Sequence, residues 1–519
     1  MSAAVRMAEL ERQNARLSAD LAALSAEYAA VKQQLEWFKR QLFGRKSEKR
    51  LDVDPAVQGN LLAALGVASP PAPKPLPGET VTYQRRPKAR DAAVNDTGLR
   101  FSDEVPREVI AVKDPEIEAI PEAQRVRIGE KVTYRLAQRP GSYVILEYVR
   151  PVYKLLDDQT IVTTPAPANV LEKSVADVSF LAGMLVDKFC YHLPLYRQHQ
   201  RLAHSGIQLS RYSLTRWAGA AIDLLRPLVE AQQRHVLQSR VLAMDETPIK
   251  AGRQHKGKMR QAYFWPIYGE AGEIVFHYAP SRAHSHVQAF LGAFQGTLLS
   301  DGYEAYAAYA RDHEGVTQAG CWSHCRRGFE RAQDGEPGAS AEALALIGAL
   351  YRHEQIIRDQ GLEGARKLAY RTQHSEPVVK AFWDWCEAQC QRPDLLPSSL
   401  LAKALKYAKA RQASLEVFLS DPQVPIDTNH LERGLRPIPM GKKNWLFAWT
   451  EIGAERIGII QSLLVTCRLQ GVDPYTYLVD VLQRISEHPA SQVADLTPRV
   501  WKTKFSHDPM RSDLALAQQ

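Results

Sequence analysis

Val241-Leu242-Ala243-Met244-Asp245 has a counterpart in Thr297-Leu298-Leu299-Ser300-Asp301. Each is a short apolar run closed by an aspartate, the pattern of a buried strand that delivers a carboxylate at its end. A third acid, Glu432, stands far downstream in Asp427-Thr428-Asn429-His430-Leu431-Glu432-Arg433, which reads as the start of a helix. A carboxylate half removed from water is costly unless something neutralises it. Carboxylates brought together also repel, and a hard divalent cation with oxygen ligands relieves both costs. The pattern points to metal-dependent chemistry on a phosphodiester.

Between the two aspartates the chain reads as a hairpin and a helix. Ala262–Tyr268 and Glu273–Tyr278 flank a turn at Gly269-Glu270-Ala271-Gly272, and a helical stretch lies between Ser281 and Phe294. Acids on a first strand, on a neighbouring strand and on a later helix form the layout of a ribonuclease-H-like nuclease core. Two magnesium ions held there about 3.5–4 Å apart would activate the attacking oxygen and stabilise the leaving one. Each acid also has a plainer reading. Asp245 could start a turn, and Asp301-Gly302 is a turn signature in itself. Glu432 stands three residues after Asn429, which is capping-box spacing. Their order and their placement on strand, strand and helix favour the shared site.

At 519 residues the chain exceeds one hydrophobic core and calls for three or more domains. It holds 45% hydrophobic and 24% charged residues, which is ordinary for a water-exposed globular protein. No apolar stretch reaches the roughly 18 residues of a membrane span, and no signal segment opens the chain. The expected compartment is the cytoplasm, with no membrane partner. Six cysteines, all from Cys190 onward, do not suggest a disulfide framework. The net charge of +8 is modest for this length, so its distribution matters more than its size.

Met7, Leu10, Asn14, Leu17, Leu21, Leu24, Tyr28, Val31, Leu35, Phe38 and Leu42 recur at steps of three and four. That is a heptad series, with a polar seam residue at Asn14 that favours a two-stranded coiled coil. The alternative is one amphipathic helix packed on its own protein. The segment from Lys39 to Arg50 carries six basic residues and one acid. It is either a solvated face or a basic arm set on a dimerising helix. A Pro-rich linker around Ser69–Gly78 follows, then a second basic cluster, Arg85-Arg86-Pro87-Lys88-Ala89-Arg90. Alternation in Tyr143–Val149 and a turn at Arg139–Ser142 give a small β module without cysteine, with Tyr143, Ile145, Tyr148 and Tyr153 as its core. Two short helices around a turn at His204-Ser205-Gly206 carry Arg197, Arg201, Arg211 and Arg216. They suit a helix-turn-helix, although helical hairpins are common for other reasons.

The text around the acids resembles a DDE transposase of the bacterial insertion-sequence-66 family. The matching stretches are Met244–Pro248, Ser300–Tyr303, Gly320–Arg327 and, above all, Asp427–Trp445 with its continuation to Phe447. The resemblance implies a catalytic triad of Asp245, Asp301 and Glu432 that also holds the metal, Mg2+ as a two-ion site with Mn2+ as a substitute. It implies cleavage at the ends of an insertion element and transfer of the freed 3′-hydroxyl into target DNA. The alternative is a catalytically silent DNA-binding regulator of the same element. Partners would be double-stranded DNA, a second copy through the coiled coil, and accessory proteins of the element; the bound protein would be nucleoid-associated. Charge near the acids makes Arg326, Arg327, Arg433, Arg436, Lys442 and Lys443 candidates for phosphate contacts. Family members carry a zinc module on paired cysteines before the helix-turn-helix; the β module here has none, so zinc is not expected. Cys321, His324 and Cys325 offer only three ligands, on a spacing natural to a strand-to-helix junction.

The expected organisation is a multidomain α/β protein. A coiled-coil helix with a basic end occupies 1–50, a Pro-rich linker 51–84, the β module 85–165 and the helix-turn-helix-like region 166–235. The ribonuclease-H-like catalytic domain spans 236–436 with a helical insertion at about 331–425. A C-terminal helical region covers 437–490, and a loosely ordered basic tail 491–519.

Overall fold

The computed structural model describes residues 99–516 except 140, 158, 173 and 256. The coiled coil, the basic arm, the second basic cluster and the Pro-rich linker lie outside the described residues. What is described is a mixed α/β protein. Among the described residues no helix is long and apolar enough to cross a membrane.

The β module is built from β1 (Arg100–Phe101), β2 (Arg107–Ala111), β3 (Arg125–Arg139), β4 (Ser142–Leu155) and β5 (Ile161–Thr163). A long antiparallel hairpin joins β3 to β4, and β2 adds to β4 in parallel. Gly141 turns the hairpin at a φ of +82°, a conformation that glycine adopts without steric cost. Both faces of β4 are buried. Tyr143 and Ile145 join the main core, whereas Val144, Leu146 and Tyr148 pack with Leu514 from the C-terminal end. Tyr153, expected in the core, is half-buried with the Arg125 guanidinium 5.1 Å from its ring centre.

Helices Val178–Phe189, Leu195–His204, Arg211–Leu224 and Arg226–Val236 follow. The Ser210 hydroxyl caps the third by accepting from the Ser213 amide at 3.0 Å. The turn between the second and third helices includes a two-residue strand, β6 (Ile207–Gln208), paired antiparallel with β1.

The second sheet contains β7 (Val241–Met244), β8 (Thr247–His255), β9 (Lys258–Gly269), β10 (Glu273–Ala279), β11 (Gly296–Ser300) and β12 (Val316–Gly320). Its order is β10-β9-β7-β11-β12, with β8 paired to β9. The β10, β9 and β7 strands are antiparallel to their neighbours, while β7, β11 and β12 run parallel. The strands expected at Val241, Ala262, Glu273 and Thr297 are β7, β9, β10 and β11, and β8 is an addition to them. Helix Glu451–Gln470 crosses β10, and Gly458 permits the approach, because a Cβ there would stand 2.6 Å from the Phe276 carbonyl oxygen.

After β12 the chain is helical, as expected: Trp322–Ala332, Pro337–Asp359, Gly364–Tyr370, Glu376–Cys390, Leu400–Lys409 and Gln412–Ser420. A fully buried ion pair ties this insertion to the segment that leads back to the sheet. Arg371 grips both oxygens of Glu354 at 2.8 and 2.9 Å. Its remaining nitrogen donates to the carbonyls of Phe418, Asp421 and Val424. Cys386 is buried and Cys390 is exposed.

The tail is ordered from 490 to 516, contrary to expectation. Trp501 is buried and donates to Asp480 at 2.9 Å, and Arg499 and Lys504 pair with Glu273 and Asp495. Arg499, Lys502 and Lys504 are thus engaged within the fold, a role that isolated positions in sequence do not display.

Removing one partner of a buried pair leaves the other charge uncompensated. Arg371→Ala should therefore cost on the order of 3–5 kcal/mol. The check is the thermal midpoint of the full chain, where a shift no larger than that of a surface substitution would contradict this role.

Candidate metal centre and active site

The register of β7 and β11 decides where the acids fall. Leu299 lies opposite Ala243 on parallel strands. Asp301 and Asp245 each follow two residues later, so both leave the sheet at the same edge. Oxygens of Asp245, Glu246 and Asp301 lie within 4.8 Å of one another. The sequence reading paired the two aspartates and missed Glu246.

The three carboxyl groups are held differently. An oxygen of Asp245 accepts from the Glu246 amide at 2.7 Å. An oxygen of Asp301 accepts from the Tyr303 amide at 2.8 Å, as the turn reading of Asp301-Gly302 expects. Glu246 has both oxygens engaged: Tyr306 donates to one at 2.6 Å and Arg282 pairs with the other. Glu246 thus anchors the strand end, leaving Asp245 and Asp301 with oxygens to offer. Burial, then Asp301 and Glu246, push the Asp245 carboxyl up to about 7. Burial also raises Glu246, against the pull of Tyr306 and Arg282. Hard carboxylate oxygens at this spacing fit a divalent cation such as Mg2+.

Side chains of the helical insertion fix the loop that follows Asp301. Tyr407 donates to the Asp301 carbonyl, and Arg411 donates to the Gly302 carbonyl at 2.8 Å. Gly302 has a φ of +89°, and a Cβ there would meet the Arg411 guanidinium at 2.2 Å. Any larger residue would be strained twice over.

Glu432 is not part of the carboxylate cluster. Arg327 holds both its oxygens at 2.7 Å. His324 links the two groups: its Nε2 lies 3.8 Å from Glu432 and 3.1 Å from Arg327. Burial opposes protonation of His324, but the Cys321 thiol and Asp301 outweigh it and raise its pKa. Glu432 does not act in a capping box either. Asn429 is the first residue of helix Asn429–Leu435, and the Asp427 carboxylate accepts from the Asn429 amide at 3.0 Å. Cys321 contacts Ser323 and Thr428, while burial and the neighbouring Cys386 push the Cys325 thiol up.

The candidate phosphate contacts divide into two groups. Arg326 pairs with Glu330, Arg327 with Glu432, and Arg201 with Asp187 and the Tyr143 hydroxyl. Lys442 donates to the Pro248 carbonyl at 2.8 Å, tying helix Pro437–Trp445 to β8. Arg197, Arg211, Arg216, Arg433, Arg436 and Lys443 are exposed. Arg211 sits 5.8 Å from the Tyr196 ring centre, and Tyr196 and Tyr212 are both exposed.

The raised pKa of Asp245 has a definite sign. Between its ordinary value of 3.8 and about 7 the folded state binds the proton more tightly than the unfolded one, so stability falls as pH rises through that window. Asp245→Asn removes this cost and should stabilise the metal-free protein by about 1–3 kcal/mol at pH 8. The gain should shrink toward pH 5. Thermal midpoints of both proteins across that range check it, and a gain independent of pH would refute the assignment.

Comparison with known proteins places the chain. The model described as Transposase IS66 family matches residues 173–456, and that of the IS66 C-terminal element matches 462–499. One described as Transposase C of IS166 homeodomain matches 30–110. The uncharacterized protein y4hP of Sinorhizobium fredii is 29% identical, over 90% of this chain and 88% of its own. The uncharacterized protein y4qI of the same organism is 30% identical, over 73% of this chain and 72% of its own. The first match alone spans more than half of the chain, which belongs to the IS66 transposase family.

Proposed function

We propose that the chain is a DDE-type DNA transposase whose second sheet is a ribonuclease-H-like catalytic core. It cleaves the ends of its insertion element and joins the freed 3′-hydroxyl to target DNA. The observation that carries this reading is the meeting of Asp245 and Asp301 at one sheet edge, with oxygens within 4.8 Å. The strand order, three antiparallel strands followed by parallel additions on the other side of β7, supports it.

Asp245 and Asp301 would hold Mg2+, or Mn2+ in its place. When bound, the metal would supply positive charge for a developing oxyanion. Glu432, now held by Arg327, would be the third ligand in this reading. Arg327 is then released beside the site as a charge for a substrate phosphate. Glu246 orients Asp245 through the strand end that Tyr306 and Arg282 fix. The exposed Arg197, Arg211 and Arg216 would track DNA in a helix-turn-helix mode, and Arg433, Arg436 and Lys443 would contact phosphates near the acids. Association through the N-terminal heptads would pair two copies, and the protein would work in the cytoplasm on nucleoid DNA, with accessory proteins of its element. The pairing of Glu432 with Arg327 favours one other reading, a DNA-binding regulator in which that ion pair is permanent.

The test is Mg2+-supported cleavage of DNA carrying the ends of the element. Asp245→Ala and Glu432→Gln should each lower cleavage by at least about 100-fold while DNA binding persists. Equal cleavage by wild type and Asp245→Ala would refute the catalytic assignment. A wild type that binds the ends and never cleaves them would establish the regulator.

A further inference from the structure

Helix Trp322–Ala332 and helix Leu400–Lys409 pack closely because Gly328 faces Ala404, where an added Cβ would lie 3.1 Å from the alanine methyl. Between them runs an open cleft of about 350 Å³. Arg327 and Arg331 stand on one wall, one helical turn apart. Lys403 and Tyr407 stand on the other, also one turn apart. Asp301 and His324 also line it, and Asp301 is the one acid among the lining residues. Arg331 and Lys403 are exposed, and among the described residues no acidic side chain lies within ion-pair distance of either. Their neighbours differ: Arg326, Arg327 and Lys409 are all paired with glutamates.

We propose that this cleft seats the sugar-phosphate backbone of a DNA strand, with Arg331 and Lys403 contacting successive phosphates on the way to Asp301. The inference deepens the transposase reading and rests on it. Two unpaired cations facing each other across a groove repel, and a polyanion threaded between them relieves that cost. The groove leads to the candidate metal ligands, so phosphates flanking the one under attack fall within it. The helical insertion then has two tasks: Tyr407 and Arg411 fix the Asp301 loop, and Lys403 on the same helix as Tyr407 guides the strand. Neither Arg331 nor Lys403 stood out in sequence, because both are single cations in helices rich in them.

The experiment measures binding of the full-length protein to a 30-bp duplex of arbitrary sequence and to an oligo-dT strand, as a function of salt. Neutralising Arg331 and Lys403 together (Arg331→Gln, Lys403→Gln) should weaken binding at least about 10-fold and reduce the log–log salt slope by about 2, near 0.9 per phosphate contact on duplex. Lys380→Gln, a single neutralisation on the exposed face of helix Glu376–Cys390, should leave the slope unchanged. Loss on both probes assigns the cleft to duplex, and loss on oligo-dT alone assigns it to a separated strand. Unchanged slopes on both probes, or an equal effect of Lys380→Gln, would overturn the proposal. An unchanged thermal midpoint and an unchanged Mg2+-induced rise in it show that the variants keep their fold and metal site. Failure of the cleft would leave Asp245-dependent cleavage intact, whereas failure of the transposase reading would show as cleavage indifferent to Asp245.

Discussion

The structure is organised around the repulsion between two carboxylates at the ends of neighbouring parallel strands. The β7–β11 register brings Asp245 and Asp301 to one edge, and burial raises the cost of ionising Asp245 beside its neighbour. A single-domain sheet left to itself would relax by splaying the strand ends. Here the surroundings prevent it. Tyr306 and Arg282 hold Glu246 on one side, and Tyr407 and Arg411 hold the Asp301 loop on the other. A site whose charges are kept together against their own repulsion is prepared for a cation, because the cost has already been met by folding.

This view gives the helical insertion a mechanical purpose. It departs from the sheet after β12 and returns before Asn429, so it places more than a hundred residues between β12 and the helix that bears Glu432. The Arg371–Glu354 pair fastens it to the carbonyls of Phe418, Asp421 and Val424, immediately ahead of the helix that bears Glu432. Trp322 strengthens the same joint by donating to the Leu415 carbonyl at 2.8 Å from within the core. The insertion therefore sets the position of the Asp301 loop and the approach of the Glu432 helix together.

What the sequence disclosed follows from the same physics. The β7 and β11 strands are buried on both faces, so they appear as continuous apolar runs that end on their aspartates. The β9–β10 hairpin announced itself through its turn glycines and aromatic strands. In contrast, β8 was hard to read: Thr247, Ile249 and Ala251 alternate, but Pro248, Gly252, Arg253, Gln254 and His255 break the signal, and the segment pairs along β9. Glu246 was missed because its role depends on Tyr306 and Arg282, which are distant in sequence. The Glu432–Arg327 pair was hidden for the same reason, since 105 residues separate its members. The tail seemed unstructured because its few large residues, Trp501 and Leu514, are scattered, and what buries them comes from elsewhere in the fold.

The central claim is that Asp245 and Asp301 form one cation site. Titration of the full-length protein with Mn2+, followed by electron paramagnetic resonance of the free ion, tests it directly. Saturable Mn2+ binding that competes with Mg2+ and disappears in both Asp245→Asn and Asp301→Asn is the predicted result. Binding that survives either substitution unchanged would contradict the account.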